Sequence, residues 1–347
     1  MKITVAIPCY NLEDRITACL ESVISQDYQD IELLIIDDHS TDRSVEVVNN
    51  LIRRHPEREF RFIVNETNQG LNLIRNLAVR EARGESLFFV DGDDTIEPGT
   101  LSSFSRRMEE THVEVVCGSY RKKDYDGNPY VIIQYPEDTI RDDFAYASYI
   151  ERYIKGSIIV SVWNKLYRLD FLRSHSICCS THYRNYEDCL FTFLVALNAP
   201  SISFIHDVTY NYCDFSSSIS RQKTDSDFLQ TYRAVIESVF DAKNDFEVSH
   251  KNLQVPRGIS FLLNYICLTN GCLKRGLELE VSKGEKKEFL KWLRGYYSRN
   301  GINWSNVEGP YNKISYLILK SPFSYLLFRF YFRHLKTVVS IVGHLTK

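Results

Sequence analysis

The stretch ITVAIPCYNLEDRITACLESVISQDYQDIELLIIDD, residues 3–38, decides the fold. It opens and closes on apolar runs, 3–7 and 31–36, each of the length of a buried strand. Between them Leu12, Ile16, Leu20, Val23 and Ile24 recur at helical spacing, with Asn11 placed as the helix cap. Outward from this unit the alternation continues. Apolar runs follow at 60–64, 87–90 and 113–116, and helical patterns at about 43–53, 71–82 and 98–110, with Pro98 suited to a first helical turn. Strands alternating with helices of this length predict an α/β fold, a mostly parallel sheet with helices on both faces. In such sheets ligands bind beyond the carboxyl ends of the strands.

The middle of the chain, about 120–212, mixes shorter strands and helices. Beyond about Lys223 the alternation stops, and helical patterns such as 228–240 and 259–272 take over. The reading is therefore a domain over 1–222 and a mainly helical region over 223–347. Of the 347 residues, 44% are hydrophobic and 25% charged, as in a globular protein with a real core. A formal net charge of -3 gives no reason to expect nucleic acid as a partner. The nine cysteines show no zinc-site spacing, which points to free thiols in a reducing compartment. The apolar start is too short for a signal peptide, so the expected location is cytoplasmic, or peripheral on the inner face of the plasma membrane.

Four strand ends carry polar residues of a particular kind. They are Pro8, Tyr10, Asn11 and Glu13; Asp37, Asp38 and His39; Asn65, Asn68 and Gly70 with Arg75 and Asn76 beyond; and Asp91, Gly92, Asp93 and Asp94. A parallel sheet brings these sets to one rim. Asp91 and Asp93, separated by a glycine that lets the backbone bend, suit a hard divalent cation such as Mn2+ or Mg2+. Taken alone, Asp93 and Asp94 could equally cap the following helix, and Asp37 and Asp38 could belong to an ordinary helix-entry loop.

The strings VAIPCYN (5–11), LLIIDDHSTD (33–42), NETNQG with RN (65–70, 75–76), FFVDGDD (88–94), WNKLYR (163–168), YEDCLF (186–191) and YNYC with SSSIS (210–220) occur in order. In that series the chain resembles the family 2 glycosyltransferases of GT-A fold, and is similar to bacterial members that build surface polysaccharides. The resemblance covers about two-thirds of the chain. It implies an inverting, metal-dependent transfer of a sugar from a nucleotide-diphosphate donor, UDP-sugar favoured, to a hydroxyl of a glycan or lipid-linked acceptor. It also implies roles. Pro8, Tyr10 and Glu13 border the base, Asp38 hydrogen-bonds it, and Arg75 and Lys165 reach phosphate. Asp91 approaches ribose or metal, with Gly92 beside it, and Asp93 ligates the metal. Trp163 walls the sugar site, and a loop with Ser217, Ser218 and Arg221 closes over the diphosphate. Asp188 is the general base and Glu187 orients it or raises its basicity. Two positions depart from the family pattern: His39 stands where glycine is commonest, and Ile74 where a small residue is expected.

The tail, 316–342, mixes aromatic and aliphatic residues with Lys and Arg. Such a helix suits an anionic membrane surface, or packing on its own domain or on a second subunit of a homo-oligomer. The rival reading of the whole chain is a catalytically inactive module of the same fold that binds nucleotide sugar or a partner. A dinucleotide-binding enzyme is excluded, since no G-x-G-x-x-G follows the first strand.

Overall fold

The computed structural model describes residues 1–124, 127–153, 160–183, 186–215, 228–251, 256–264, 266 and 282–300. The chain divides into two compact units, one of Met1–Tyr146 with Ser161–Arg221, the other of Ala147–Val160 with Gln222–Lys347.

The first unit is built on one ten-stranded sheet. Its strands are β1 (Ile3–Cys9), β2 (Ile31–Asp37), β3 (Glu59–Val64), β4 (Ser86–Phe89), β5 (Thr95–Ile96), β6 (Val115–Lys123), β7 (Pro129–Ile133), β8 (Thr139–Arg141), β9 (Lys165–Arg168) and β10 (Ser201–Cys213). They lie in the order β3-β2-β1-β4-β9-β6-β10-β5, with β7 beside β6 and β8 beside β10. The helices are α1 (Ile16–Ile24), α2 (Ser44–Arg54), α3 (Leu71–Glu81), α4 (Thr100–Thr111), α6 (Leu169–Ser174) and α7 (Glu187–Asn198), while α5 (Ala145–Tyr153) leads from the first unit into the second.

The alternating stretch behaves as its pattern dictates: β3, β2, β1 and β4 are mutually parallel. The sheet as a whole is mixed rather than mostly parallel. β9 runs antiparallel to both neighbours, β4 and β6, and β5, β7 and β8 are antiparallel too. Parallel neighbours need a crossover, whereas β6 and β7 follow one another with no helix between and pair as a hairpin. Two helix starts also differ. α1 begins at Ile16, and Asn11, with φ 52°, ties its loop to the next instead of capping. α4 begins at Thr100 behind Gly99 at φ 74°, leaving Pro98 ahead of the helix.

The core fixes where the loops meet. In the β1–β2 register Cys9 faces Asp37, so both strands end level and their loops leave side by side. Phe89, at the end of β4, packs edge-to-face on Phe191 with ring centroids 6.1 Å apart. Phe191 lies one turn beyond Asp188 on α7, so this contact sets the start of α7 close to the strand end that leads to Asp91. Burying such a ring contributes about 1.5–3 kcal/mol.

In the second unit the described helices are α8 (Phe228–Ser249), α9 (Arg257–Asn264) and α10 (Lys283–Arg299). A capping box of Ser282 and Glu285 opens α10. The tail and the loop of Ser217, Ser218 and Arg221 lie outside the described residues. Among the described residues no helix is long and apolar enough to cross a membrane.

Candidate active site

The β1 and β2 loops lock together before any ligand is considered. Asn11 accepts from the Thr41 amide at 2.8 Å, and its own amide donates to Ser40 Oγ at 2.9 Å. Glu13 accepts from the Arg43 amide at 3.0 Å, and its amide donates to Asp42 at 3.1 Å. His39 occupies the left-handed region at φ 64°, where glycine is easiest, and faces solvent. Tyr10 is 47% exposed, which leaves its ring open to stacking, and Pro8 is half-buried beside it.

Asp38 is only 4% exposed. Its Oδ1 accepts from the Gln69 amide at 2.8 Å and from Asn65 Nδ2 at 3.1 Å, and its Oδ2 accepts from the Gly70 amide at 2.7 Å. Asn68 donates to its carbonyl at 3.2 Å. Asp38 thus folds the β3–α3 loop. The bonds among described residues leave one acceptor position open, on Oδ2.

Beyond β4 the chain turns sharply, with the Asp94 amide donating to the Asp91 carbonyl at 2.9 Å. Gly92 is required here by close approach: a Cβ would stand 2.6 Å from the Pro8 carbonyl oxygen and 2.7 Å from Leu12 Cδ1. The turn is thereby pressed against the end of β1. Asp94 points inward, accepting from Tyr210 Oη at 2.7 Å and from the Cys213 amide at 2.7 Å. Asp93 is half-buried; burial, with the Asp91 charge beside it, pushes its carboxyl up to about 6.

Arg75 joins this turn to α7. It is 3% exposed, and one terminal nitrogen donates to Asp91 Oδ1 at 2.8 Å while the other donates to Glu187 Oε1. Burial works against its charge, but Asp91 and Glu187 more than offset this and hold it protonated. Each terminal nitrogen thus holds one carboxylate in a buried bridge, and Nε has no hydrogen-bond partner among the described residues. The helix is held for this purpose. On the same face of α3, Asn76 pairs with Cys179 through both halves of its amide, at 2.7 and 2.9 Å, and Asn72 donates to the Ser180 carbonyl at 2.8 Å.

Asp188 stands next to Glu187 in the first turn of α7, half-buried and accepting no hydrogen bond from any described residue. Burial and then the Glu187 charge push its carboxyl up to about 7, with Asp91 adding to this and Arg75 and Lys165 pulling against it. The cap residue of α7, Tyr186, makes no side-chain capping bond.

Trp163 is half-buried and stacks on Tyr210 with centroids 4.8 Å apart and on Tyr212 at 5.6 Å. Its neighbour Asn164 fixes this segment by donating to the Gly118 carbonyl at 2.6 Å and accepting from Thr209 Oγ1 at 2.8 Å. Lys165 is buried and donates to Ser161 O at 2.6 Å and Ser161 Oγ at 3.1 Å. Burial lowers its pKa. His206 is exposed on an irregular stretch of β10 and lies 2.8 Å from the Tyr135 carbonyl.

Residues 4–174 match the family model described as "Glycosyl transferase family 2". The chain carries a family 2 glycosyltransferase domain. Among curated relatives, EpsH of Bacillus subtilis, named as a glycosyltransferase, is 29% identical over 221 residues, 62% of each chain. The poly(ribitol-phosphate) β-N-acetylglucosaminyltransferase TarS of Staphylococcus aureus is 29% identical over 261 residues, 73% of this chain and 42% of TarS. The chain thus spans less than two-thirds of either relative. The crystal structure of TarS residues 1–349 in complex with UDP-GlcNAc superposes with a TM-score of 0.71 at 23% identity, over 97% of this chain and 92% of that one. The fold of this family 2 domain is accordingly that of TarS.

Among the described residues of the domain, no three His, Cys, Asp or Glu side chains gather as a metal cage. That donor set still fits magnesium or manganese, which are held by one or two carboxylates and complete their shell with water and phosphate oxygens. Asp93 accepts no side-chain hydrogen bond among described residues, and only one oxygen of Asp91 is taken, by Arg75. Sequence reasoning missed Asp94, Tyr210, Asn72 and Asn164 as organisers of the domain. Each is an ordinary polar or aromatic residue whose partner lies far along the chain.

Proposed function

We propose that the domain transfers a sugar, with inversion, from a nucleotide-diphosphate donor to a hydroxyl of a glycan or lipid-linked glycan, with Asp188 as general base. One observation carries this reading. Arg75 bridges Asp91 and Glu187, so the acid turn after β4 and the acids opening α7 share one site. UDP is the favoured nucleotide, in keeping with the UDP-GlcNAc found on TarS. The two relatives just named suit an acceptor of the bacterial cell surface.

Tyr10 and Pro8 border the base, and the free acceptor position on Asp38 Oδ2 receives its N–H. Asp91 and Asp93 would hold Mn2+ or Mg2+, which, bound to the diphosphate, supplies positive charge to the leaving group. Trp163 offers a flat wall to the sugar ring. Asp188 takes the proton of the acceptor hydroxyl. Its oxygen bonds to the anomeric carbon as the bond to the diphosphate oxygen breaks, the electron pair leaving with the diphosphate. Attack from the opposite face inverts that carbon. A carboxyl titrating at about 7 is a stronger base than an ordinary aspartate and is still largely ionised just above neutrality. Arg75 and Glu187 act as positioning residues.

Transfer from UDP-sugars, measured with and without EDTA, tests the reading. Asp188→Asn should lower turnover by roughly 10²–10⁴-fold while UDP binding with Mn2+ persists. Full turnover in that variant would remove Asp188 from the mechanism. A wild type that binds UDP-sugars but neither transfers nor hydrolyses them would be the inactive module.

A further inference from the structure

We propose that Tyr210 is a positioning residue whose hydroxyl clamps the Asp91–Asp94 turn and so sets the carboxylates for a metal-bound diphosphate. The inference rests on the reading of the site above.

Tyr210 reaches the turn because β5 pairs antiparallel with β10, placing Ile96 opposite it. Its hydroxyl accepts from the Asp91 amide at 3.1 Å and donates to Asp94 Oδ2 at 2.7 Å. The other oxygen of Asp94 accepts from the Cys213 amide at 2.7 Å, so the same acid also holds the strand leaving β10. The turn is therefore gripped at both ends, at the amide of its first residue and the carboxylate of its last. Gly92 is wedged against Pro8 between them. Asp93 is left as the acid of the turn whose carboxylate accepts no hydrogen bond from another described side chain, between two gripped ends. A phenol suits this place. It is one donor and one acceptor on a rigid ring, and it satisfies the Asp91 N–H and the Oδ2 oxygen of Asp94, both of which a phenylalanine would leave without this partner. The ring of Tyr210 stacks on Trp163, so a single side chain sets both the acid turn and the aromatic wall.

Tyr210→Phe keeps the ring and removes the clamp. Tyr167→Phe is the control, since Tyr167 is equally buried and donates to the Val162 carbonyl at 3.1 Å, away from the turn. Mn2+ binding is titrated by electron paramagnetic resonance of the free ion at saturating UDP. The expected result is about a tenfold rise in the Mn2+ dissociation constant for Tyr210→Phe, and no more than a twofold change for Tyr167→Phe at a comparable loss of melting temperature. Asp94→Asn, which leaves Tyr210 in place but weakens its partner, should fall between, at about threefold, and serves if Tyr210→Phe does not fold. Mn2+ affinity within twofold of wild type in Tyr210→Phe, or in Asp94→Asn where that variant stands in, overturns the clamp alone. If the wild type binds Mn2+ with none of UDP, GDP, ADP, CDP and dTDP, the reading of the site falls and the clamp with it.

Discussion

Asp38 and Asp188 are both buried or half-buried aspartates at the rim of one sheet, and they are held in opposite ways. Asp38 accepts three hydrogen bonds on its carboxylate and a fourth on its carbonyl, all from the loop it folds. Asp188 accepts none from the described residues and carries its neighbours' charge instead. Donors fix a carboxylate as architecture; burial without donors leaves Asp188 basic and open to a substrate proton. Residue type is the same in both, so the surroundings divide structural acids from reactive ones.

The comparison is most exposed at Arg75, which lies on the helix after the loop that Asp38 folds and bridges Asp91 to Glu187, the neighbour of Asp188. Arg75→Met would leave Asp91 and Glu187 buried without a counter-charge, and urea denaturation should show a loss of about 3–5 kcal/mol. A loss below about 1 kcal/mol would mean that the bridge does not organise the site.

Next in size, Asp38→Asn and Asp188→Asn should move stability in opposite directions. Asparagine cannot accept on both sides from Gln69, Gly70 and Asn65, so Asp38→Asn should cost about 1–3 kcal/mol. For Asp188 the folded pKa of about 7 lies above the unfolded value of about 3.9. The native state then binds more protons across that window, and its stability is eroded as pH rises through it. Asp188→Asn should therefore melt above wild type at pH 8, with the gap closing towards pH 4. A lower melting point at pH 8 would show that Asp188 has a stabilising partner.

The smallest effect is on the pH profile. Below about pH 7 turnover should fall roughly tenfold per unit as Asp188 takes up its proton. Burial sets this midpoint first, and the charges of Glu187, Arg75, Asp91 and Lys165 adjust it. A flat profile down to pH 5.5 would return Asp188 to an ordinary aspartate.

Much of this was legible in residue order. The runs at 3–7, 31–36, 60–64 and 87–90 became parallel strands because a period of apolar residues commits a segment locally. The acids placed after them had to reach the same rim. Residue order could not show how Lys165 and Arg75 are held, since an exposed cation and one buried among partners look alike until burial is known.

The sequence by itself therefore determined the alternating half of the sheet, the rim, and the candidate acids Asp91, Asp93, Glu187 and Asp188. Tertiary structure alone decided which carboxylates are saturated, that β9 enters antiparallel between β4 and β6, and that Arg75 and Tyr210 lock the acid turn. Strand and helix periods are local properties written into neighbouring residues. Hydrogen-bond saturation and desolvation depend on partners more than a hundred positions away in sequence, as between Tyr210 and Asp94, and come into being only when the chain closes.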